Sequence, residues 1–233
     1  QPVFQAPLVV LLTIAALAAI HFALWLGGEV WQTWALYMFA FIPARLGGGE
    51  AVPFVAGAQY WSFLTYSFLH ADITHLLFNC LWLLIFGTVV ARYLGALRFL
   101  VLSAVSSVAG ALAMLLSHWG DGSIMIGASG SVSGLMGAAI PVMYGRRRLA
   151  ERAGEPGQAF HLAPAEFIRD RNAIIFMVVF LVITLFSGAT GWIGNGFLDG
   201  ASIAWEDHLG GFAAGIVAFY LLAPHRRASA RTL

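Results

Sequence analysis

Long apolar runs alternate along the chain with short segments that carry most of its charges. A helix needs about 20 residues to cross about 30 Å of hydrocarbon, and six of the runs approach or reach that length. Their apolar character is continuous rather than alternating, which favours helices over a membrane β-barrel. The pattern predicts membrane-spanning helices at about residues 7–26, 73–91, 97–116, 124–144, 173–193 and 201–223.

Residues 27–72 separate the first two predicted spans and form a long first loop. The apolar piece Trp34–Ile42 within this loop is too short to cross a bilayer and has glycine-rich sequence nearby. We expect it in the loop or at the membrane surface, a level that suits aromatic rings such as those of Trp31 and Trp34. The chain is therefore interpreted as one all-α, six-helix membrane domain over 1–233.

Composition supports this interpretation, since 60% of the 233 residues are hydrophobic, 10% are charged and the mean hydropathy is +0.83. Such values exceed what a water-soluble core of this size requires. The single cysteine, Cys80, lies in the second span and is expected to be a small core residue. The first run lacks a basic leader and a small-residue cleavage site, so a cleavable signal peptide is not expected.

The positions of the positive charges predict the orientation in the membrane. All twelve cationic side chains are arginines, and every one except Arg45 follows the second, fourth or sixth span. If the spans alternate in direction, these eleven lie on one face, which the positive-inside rule assigns to the cytoplasm together with both termini. A basic nucleic-acid surface would also explain the run GRRR, but arginines confined to one membrane face indicate topology, and no nucleic-acid partner is expected.

Polar residues lie inside or at the start of three spans, where a central charge costs about 2.5–3.5 kcal/mol. They are His70, His75 and Asn79 in the second span, Ser129 in the fourth, and Glu206, Asp207 and His208 in the sixth. His75, Ser129 and His208 each precede the cytoplasmic boundary of their span by the same number of residues. At about 1.5 Å per residue they lie at one depth, roughly 25 Å from the inner face, as a composite active site requires.

Glycines predict close contact between the fourth and sixth spans. Gly130 and Gly134 are four residues apart in one, and Gly211 and Gly215 are four apart in the other. Small residues at this spacing let helix backbones approach closely in lipid. Packing these faces together would bring the fourth span's serine towards the sixth span's histidine, although the glycines could also serve packing alone.

Ser129 is the best candidate nucleophile in the sequence GASGSVSG. It lies at the expected start of a helix, where unpaired N–H groups and the helix dipole favour developing negative charge. Gly127 and Gly130 allow the backbone to come close there. A nearby histidine suits the task of taking the hydroxyl proton. Ser131 and Ser133 lie deeper and are expected to pack or to bond helix carbonyls, and the nucleophile-elbow pattern G-x-S-x-G is not met.

His75 and Asn79 are four residues apart, so they share a helix face, and both can donate hydrogen bonds to an oxyanion. His70 lies about 140° around the helix from His75 and is expected to be structural.

Taken together, the motifs resemble those of the rhomboid intramembrane serine proteases. HADITHLLFN is similar to the family's His-x4-His-x3-Asn, GASGSVSGLMG to its Gly-x-Ser-Gly-x3-Gly-Leu-x-Gly, and HLGGFAAG to its His-x2-Gly-x3-Gly. The order and the helices agree, and the resemblance covers the chain as a rhomboid-like six-transmembrane-helix bundle.

The resemblance implies a catalytic dyad of Ser129 as nucleophile and His208 as general base, with no third acid, and His75 and Asn79 as oxyanion donors with the Ser129 N–H. It implies cleavage of single-span or other transmembrane protein substrates near the outer face of the bilayer, through an acyl-enzyme in a water-filled cavity, with sideways entry near Phe176 to Trp192. It requires no cofactor and no metal. A bacterial inner membrane, with the active site facing out of the cytoplasm, is the expected location, and no oligomeric state is predicted.

The sequence departs from common family patterns near the base and in the first loop. An aromatic that stacks on the base is replaced by Ser133, so Trp205 or Ser133 itself is expected to orient the ring. The family's Trp-Arg pair has no clear match, because Gln32 follows Trp31, which leaves Arg45 as a substitute.

Two acidic residues, Glu206 and Asp207, precede His208. On a helix they point about 200° and 100° away from it, so neither is well placed as a third acid. We expect them to raise the basicity of His208 through the local field or to face water at the outer end.

Alternatives to a protease remain open. A catalytically inactive, client-binding rhomboid-like protein would usually lack the serine or the histidine. An intramembrane metal site of His70, His75 and His208 would leave the glycine-flanked serine unexplained. A transporter would predict broken helices in two related halves.

Overall fold

The computed structural model describes residues 6–48, 52–151, 161–190 and 204–224, and within 146–151 and 189–190 it describes the backbone only. In these ranges the chain is helical, with one isolated β-bridge between Phe41 and Met125. The helices are α1 (Leu8–Leu26), α2 (Gly28–Phe39), α3 (Ala44–Gly47), α4 (Ala58–Thr65), α5 (Ile73–Trp82), α6 (Thr88–Leu94), α7 (Ala96–Ser117), α8 (Ser129–Glu151), α9 (Pro164–Phe167), α10 (Arg171–Thr190) and α11 (Trp205–Leu222).

Four stretches in the described part are long and apolar enough to cross a membrane: Leu8–Leu26, Ile73–Leu94, Ala96–Ser117 and Arg171–Gly188. The second of these joins α5 and α6 through a π-helical segment, Leu83–Gly87. The other two predicted spans correspond to α8 and α11. The predicted all-helical membrane fold is confirmed for the described residues, whereas six crossings and cytoplasmic termini stay predictions.

The start of the fourth span was predicted five residues too early, at 124 instead of Ser129. Met125 is paired with Phe41 through backbone hydrogen bonds of 3.1 and 2.9 Å, so its N–H and C=O are engaged outside any helix. Residues 191–193 and 201–203, which the apolar pattern assigned to the last two spans, lie outside the described ranges.

The predicted first loop contains ordered helices, and its apolar piece is largely helical because α2 extends to Phe39. Side chains of later residues cap the exposed carbonyls at the end of α2. The Arg45 guanidinium donates to the Ala40 carbonyl at 2.8 Å and to the Tyr37 carbonyl, and Thr65 donates to Phe39 at 2.8 Å. Arg45 therefore fastens the first loop, and its partial burial lowers its pKa.

Three helices, α7, α8 and α11, form the centre of the bundle and pack backbone against backbone. A Cβ added to Gly211 would overlap the Gly130 carbonyl, and one added to Gly215 would overlap the Gly134 carbonyl. The two small-residue faces therefore meet at the crossing of α8 and α11. The largest apolar cluster among the described residues includes Val10, Leu83, Leu102, Leu135, Val142 and Phe219.

Candidate active site

Ser129 is the first residue of α8 and follows a turn that two other segments hold in place. The Gly127 N–H donates to the Tyr66 carbonyl at 3.0 Å, and the Ala128 N–H approaches His70 Nε2 at 3.5 Å. Gly127 has φ +122°, a region that glycine occupies without strain. The expectation that His70 is structural agrees with this contact, because its buried ring supports the turn before the serine.

The imidazole of His75 and the hydroxyl of Ser129 flank the same small space. A Cβ at Gly127 would lie 2.6 Å from His75 Nε2 and 3.7 Å from Ser129 Oγ. His75 occupies the first turn of α5, where its backbone N–H donates to the capping carboxyl of Asp72 at 2.7 Å. The cap sets where α5 begins, and hence the level at which this imidazole stands beside the serine.

Asn79 lies one turn further along α5 and is 5% exposed. Its amide donates to the His75 carbonyl at 3.0 Å. Since an amide group carries two N–H donors, one remains for another acceptor.

The Ser129 hydroxyl donates to Asp207 Oδ2 at 3.1 Å. His208 follows on the same first turn of α11, half-buried. Ser129 and His208 both lie in the described part of the chain, and they are not hydrogen-bonded to each other in this structure. The geometry thus brings the two helices of the predicted dyad into contact but directs the serine proton to the neighbouring carboxyl.

Of the two alternatives left open for Glu206 and Asp207, exposure to water at the outer end is excluded, because both side chains are buried. Asp207 is 1% and Glu206 6% exposed. Asp207 Oδ1 accepts a hydrogen bond from the Tyr66 hydroxyl at 2.6 Å, and Glu206 Oε1 lies 2.9 Å from His118 Nε2. A helical projection of α11 alone misses both contacts, because the partners come from other elements of the chain.

Sequence reasoning also missed Tyr66, which is fully buried. Its hydroxyl lies between the Ser107 carbonyl, at 2.9 Å, and Asp207. No sequence pattern links it to Asp207, and the glycines that surround the carboxyl, Gly110 and Gly130, are explained only by the fold, because a Cβ at either position would overlap it.

The family model described as Rhomboid domain matches residues 57–225, which includes every predicted site residue. The chain belongs to the rhomboid family. With the helices described above, it is a multi-pass membrane protein.

Among the relatives of this rhomboid, the rhomboid protease GlpG of Klebsiella pneumoniae subsp. pneumoniae is 26% identical over 206 residues, which cover 84% of this chain and 64% of that protein. GlpG of Yersinia pestis is 30% identical over 179 residues, covering 75% of this chain and 51% of that protein. RHOMBOID-like protein 4 of Arabidopsis thaliana is 26% identical over 182 residues, covering 77% of this chain and 39% of that protein. The chain spans less than two thirds of the length of each.

Two residues, Trp205 and Ser133, were expected to orient the base in place of the rhomboid aromatic. Trp205 packs on α10, where a Cβ at Gly188 would overlap its indole ring. Ser133 is buried inside α8. Across the described ranges, neither has a hydrogen bond or ring contact with His208.

One charged cluster joins the loop before α8 to the first turn of α11. His118 follows α7 and contacts both Glu206, at 2.9 Å, and Asp121, at 3.2 Å. The hydrogen bond to Glu206, with a smaller contribution from Asp121, raises the pKa of His118. Hydrogen bonds from Ser123 lower the pKa of Asp121.

No group of three or more His, Cys, Asp or Glu side chains in the described residues has an arrangement that would hold a metal ion. The alternative metal site of His70, His75 and His208 gains no support from this geometry.

Proposed function

We propose that this rhomboid is an intramembrane serine endopeptidase that hydrolyses peptide bonds in or near transmembrane segments of other membrane proteins. The observation that carries the proposal is the Ser129 hydroxyl at the N-terminal end of α8, beside the His75 imidazole and on a helix in backbone contact with the helix of His208. Membership of a family whose relatives include proteins named rhomboid proteases supports the same activity.

In the proposed reaction, Ser129 Oγ attacks the carbonyl carbon of the scissile bond while His208 takes the hydroxyl proton. The tetrahedral intermediate collapses as the C–N bond breaks, and His208 returns the proton to the leaving amine. An ester between Ser129 and the substrate acyl group remains. Water, deprotonated by His208, attacks this ester, releases the carboxylic acid product and restores the serine.

We assign the oxyanion to donors around the start of α8. The His75 side chain, the second amide N–H of Asn79 and the Ser129 backbone N–H would share the developing charge. Support comes from the space beside Gly127 that His75 and Ser129 both border, and from the helix start, whose first N–H groups have no acceptor within the helix. Removing one such donor typically costs about 10²- to 10³-fold in kcat.

The proposed topology has six spans, cytoplasmic termini and an active site open to the extracytoplasmic side of an inner membrane. The one-sided arginines support it. Entry of transmembrane substrates beside α10 is supported by the apolar side chains that α10 exposes, including Val178, Val182 and Phe186.

The experiment uses the purified protein and a single-span model substrate in proteoliposomes. Ser129→Ala and His208→Ala are expected to lose at least about 10³-fold in kcat/KM. Ser131→Ala and Ser133→Ala are matched controls within the same motif and should keep cleaving. Cleavage retained in Ser129→Ala would contradict the nucleophile assignment, and loss of cleavage on adding a chelator would favour a metal site.

A client-binding protein that does not cut is the second candidate, because the Ser129 proton is directed to Asp207 and not to His208. Binding of the model substrate with no cleavage, and with no labelling of Ser129 by a fluorophosphonate, would favour this candidate.

A further inference from the structure

The Asp207 carboxyl occupies a slot built from three segments of the chain. Gly110 on α7 and Gly130 on α8 leave the space that it fills, since a Cβ at either position would overlap it. The Tyr66 hydroxyl, whose one proton is directed to Oδ1 at 2.6 Å, also lies 2.9 Å from the Ser107 carbonyl. The Gly130 backbone N–H also donates to the carboxyl. We call this arrangement the carboxyl slot.

The slot fixes which oxygen of Asp207 faces the serine. Because Tyr66 engages Oδ1, Oδ2 is directed at Ser129 Oγ, 3.1 Å away. Both ion pairs found in the described residues involve His118, so no cationic side chain there competes for the carboxyl. With 1% exposure, Asp207 has little contact with solvent, and a buried polar group of this kind requires the hydrogen bonds it makes.

A serine hydroxyl has one proton to donate. While that proton is directed to Asp207, it is not directed to a nitrogen of His208, as general-base catalysis requires. In the proposed dyad, rotation about the Cα–Cβ bond of Ser129 would redirect the proton from Asp207 to His208. The observed orientation is therefore a resting one with respect to a Ser129–His208 dyad.

We propose that Asp207 is a positioning residue that holds the Ser129 hydroxyl in this resting orientation, and that attack on a substrate requires the hydrogen bond to pass from Asp207 to His208. The inference rests on the proposed function. In this proposal Asp207 acts on the nucleophile, Ser129, and not on the adjacent base, His208.

The test measures two rates on the purified protein in proteoliposomes: cleavage of the single-span substrate, and labelling of Ser129 by a fluorophosphonate, located by mass spectrometry with Ser129→Ala as the blank. Asp207→Ala removes the competing acceptor and should raise the labelling rate and kcat about tenfold, the factor of one ordinary hydrogen bond, with KM unchanged. Asp207→Asn keeps a weaker acceptor oxygen and should raise both about threefold.

Two further variants separate positioning from general disturbance of the fold. Tyr66→Phe keeps the buried ring and removes the donor that orients the carboxyl, so both rates should rise by less than in Asp207→Ala. Glu206→Gln changes the neighbouring buried acid, which bonds His118 and not the serine, and should leave both rates at the wild-type value. If Asp207→Ala does not fold, the rates of Asp207→Asn and Tyr66→Phe test the positioning role of Asp207 instead.

Folded Asp207→Asn with unchanged or lower rates would overturn the proposal, since a resting contact must slow the wild type. Failure of the proposed function is distinguishable. If no substrate is cleaved but Ser129 is labelled faster in the Asp207 variants, the result would support the positioning role of Asp207 and contradict the proposed protease activity.

Discussion

Two parts of the bundle are packed in different ways. The three central helices, α7, α8 and α11, meet through glycines whose replacement would overlap backbone atoms of the neighbour. Helix α10 meets α11 through side chains, among them Phe180 and Phe212, whose rings stack with centroids 4.2 Å apart at 14°. In the apolar stretch of α10 17% of residues are buried, against 44% in α7, so α10 is the more peripheral helix.

The two kinds of packing differ in how firmly they fix the position of a helix. Ser129, Asp207 and His208 all belong to the glycine-packed helices, where a shift of one backbone against another is blocked by overlap. Contacts between side chains can adjust by rotamer changes, so a movement of α10 would displace the site less than a movement of α7, α8 or α11. In the proposed protease, this arrangement would let a substrate helix enter beside α10 while the site keeps its geometry.

The largest effect should follow from adding one carbon at the central crossing. In Gly215→Ala the new Cβ would overlap the Gly134 carbonyl, and overpacking of this kind costs about 2 kcal/mol. Thermal unfolding in detergent micelles measures the loss. Val182→Ile also adds one carbon, on the exposed face of α10, and should change stability by less than about 0.5 kcal/mol. Equal losses in the two variants would remove the distinction between the regions.

A smaller, local effect is expected at the contact of α10. Phe180→Ala removes the ring that stacks on Phe212, a pair worth about 1 kcal/mol beyond the area it covers. Hydrogen exchange should increase in α10 and stay unchanged in α7 and α8, because the glycine contacts do not depend on this ring. Increased exchange throughout the bundle would show that α10 and the central helices open together.

Sequence reasoning predicted the features that follow from the residue spacing within each helix. Apolar run length predicted the helices and glycine spacing predicted the contact of α8 with α11, whereas the shared depth of Ser129 and His208 stays a prediction. The environment of Asp207 could not be obtained in this way, because Tyr66 and Gly110 lie far from it in sequence and become its neighbours only when α7 and the first loop are in place. Likewise, the start of α8 depends on the pairing of Met125 with Phe41, a contact between distant segments.

The smallest predicted effect concerns the contact that ties the loop before α8 to the rigid helices. The hydrogen bond to Glu206, assisted by Asp121, raises the pKa of His118 above its usual value near 6.5. The stabilisation is therefore fully present below about pH 6.5 and is lost as the pH rises through the raised pKa. The pair is partly exposed, so we expect it to contribute less than about 1 kcal/mol. The Asp121 carboxyl, whose pKa is lowered, titrates at more acidic pH and does not interfere.

Thermal unfolding of the wild type and His118→Gln, compared at pH 6 and pH 9, measures this contribution. The two melting temperatures should differ more at pH 6 than at pH 9. Glu206→Gln should flatten the pH dependence in the same way, and the double variant should add nothing further, because both changes remove one interaction. A difference between the wild type and His118→Gln that stays constant across this range would mean that the loop is held by its backbone pairing alone, and that the charged contact follows the packing of α11 without contributing to it.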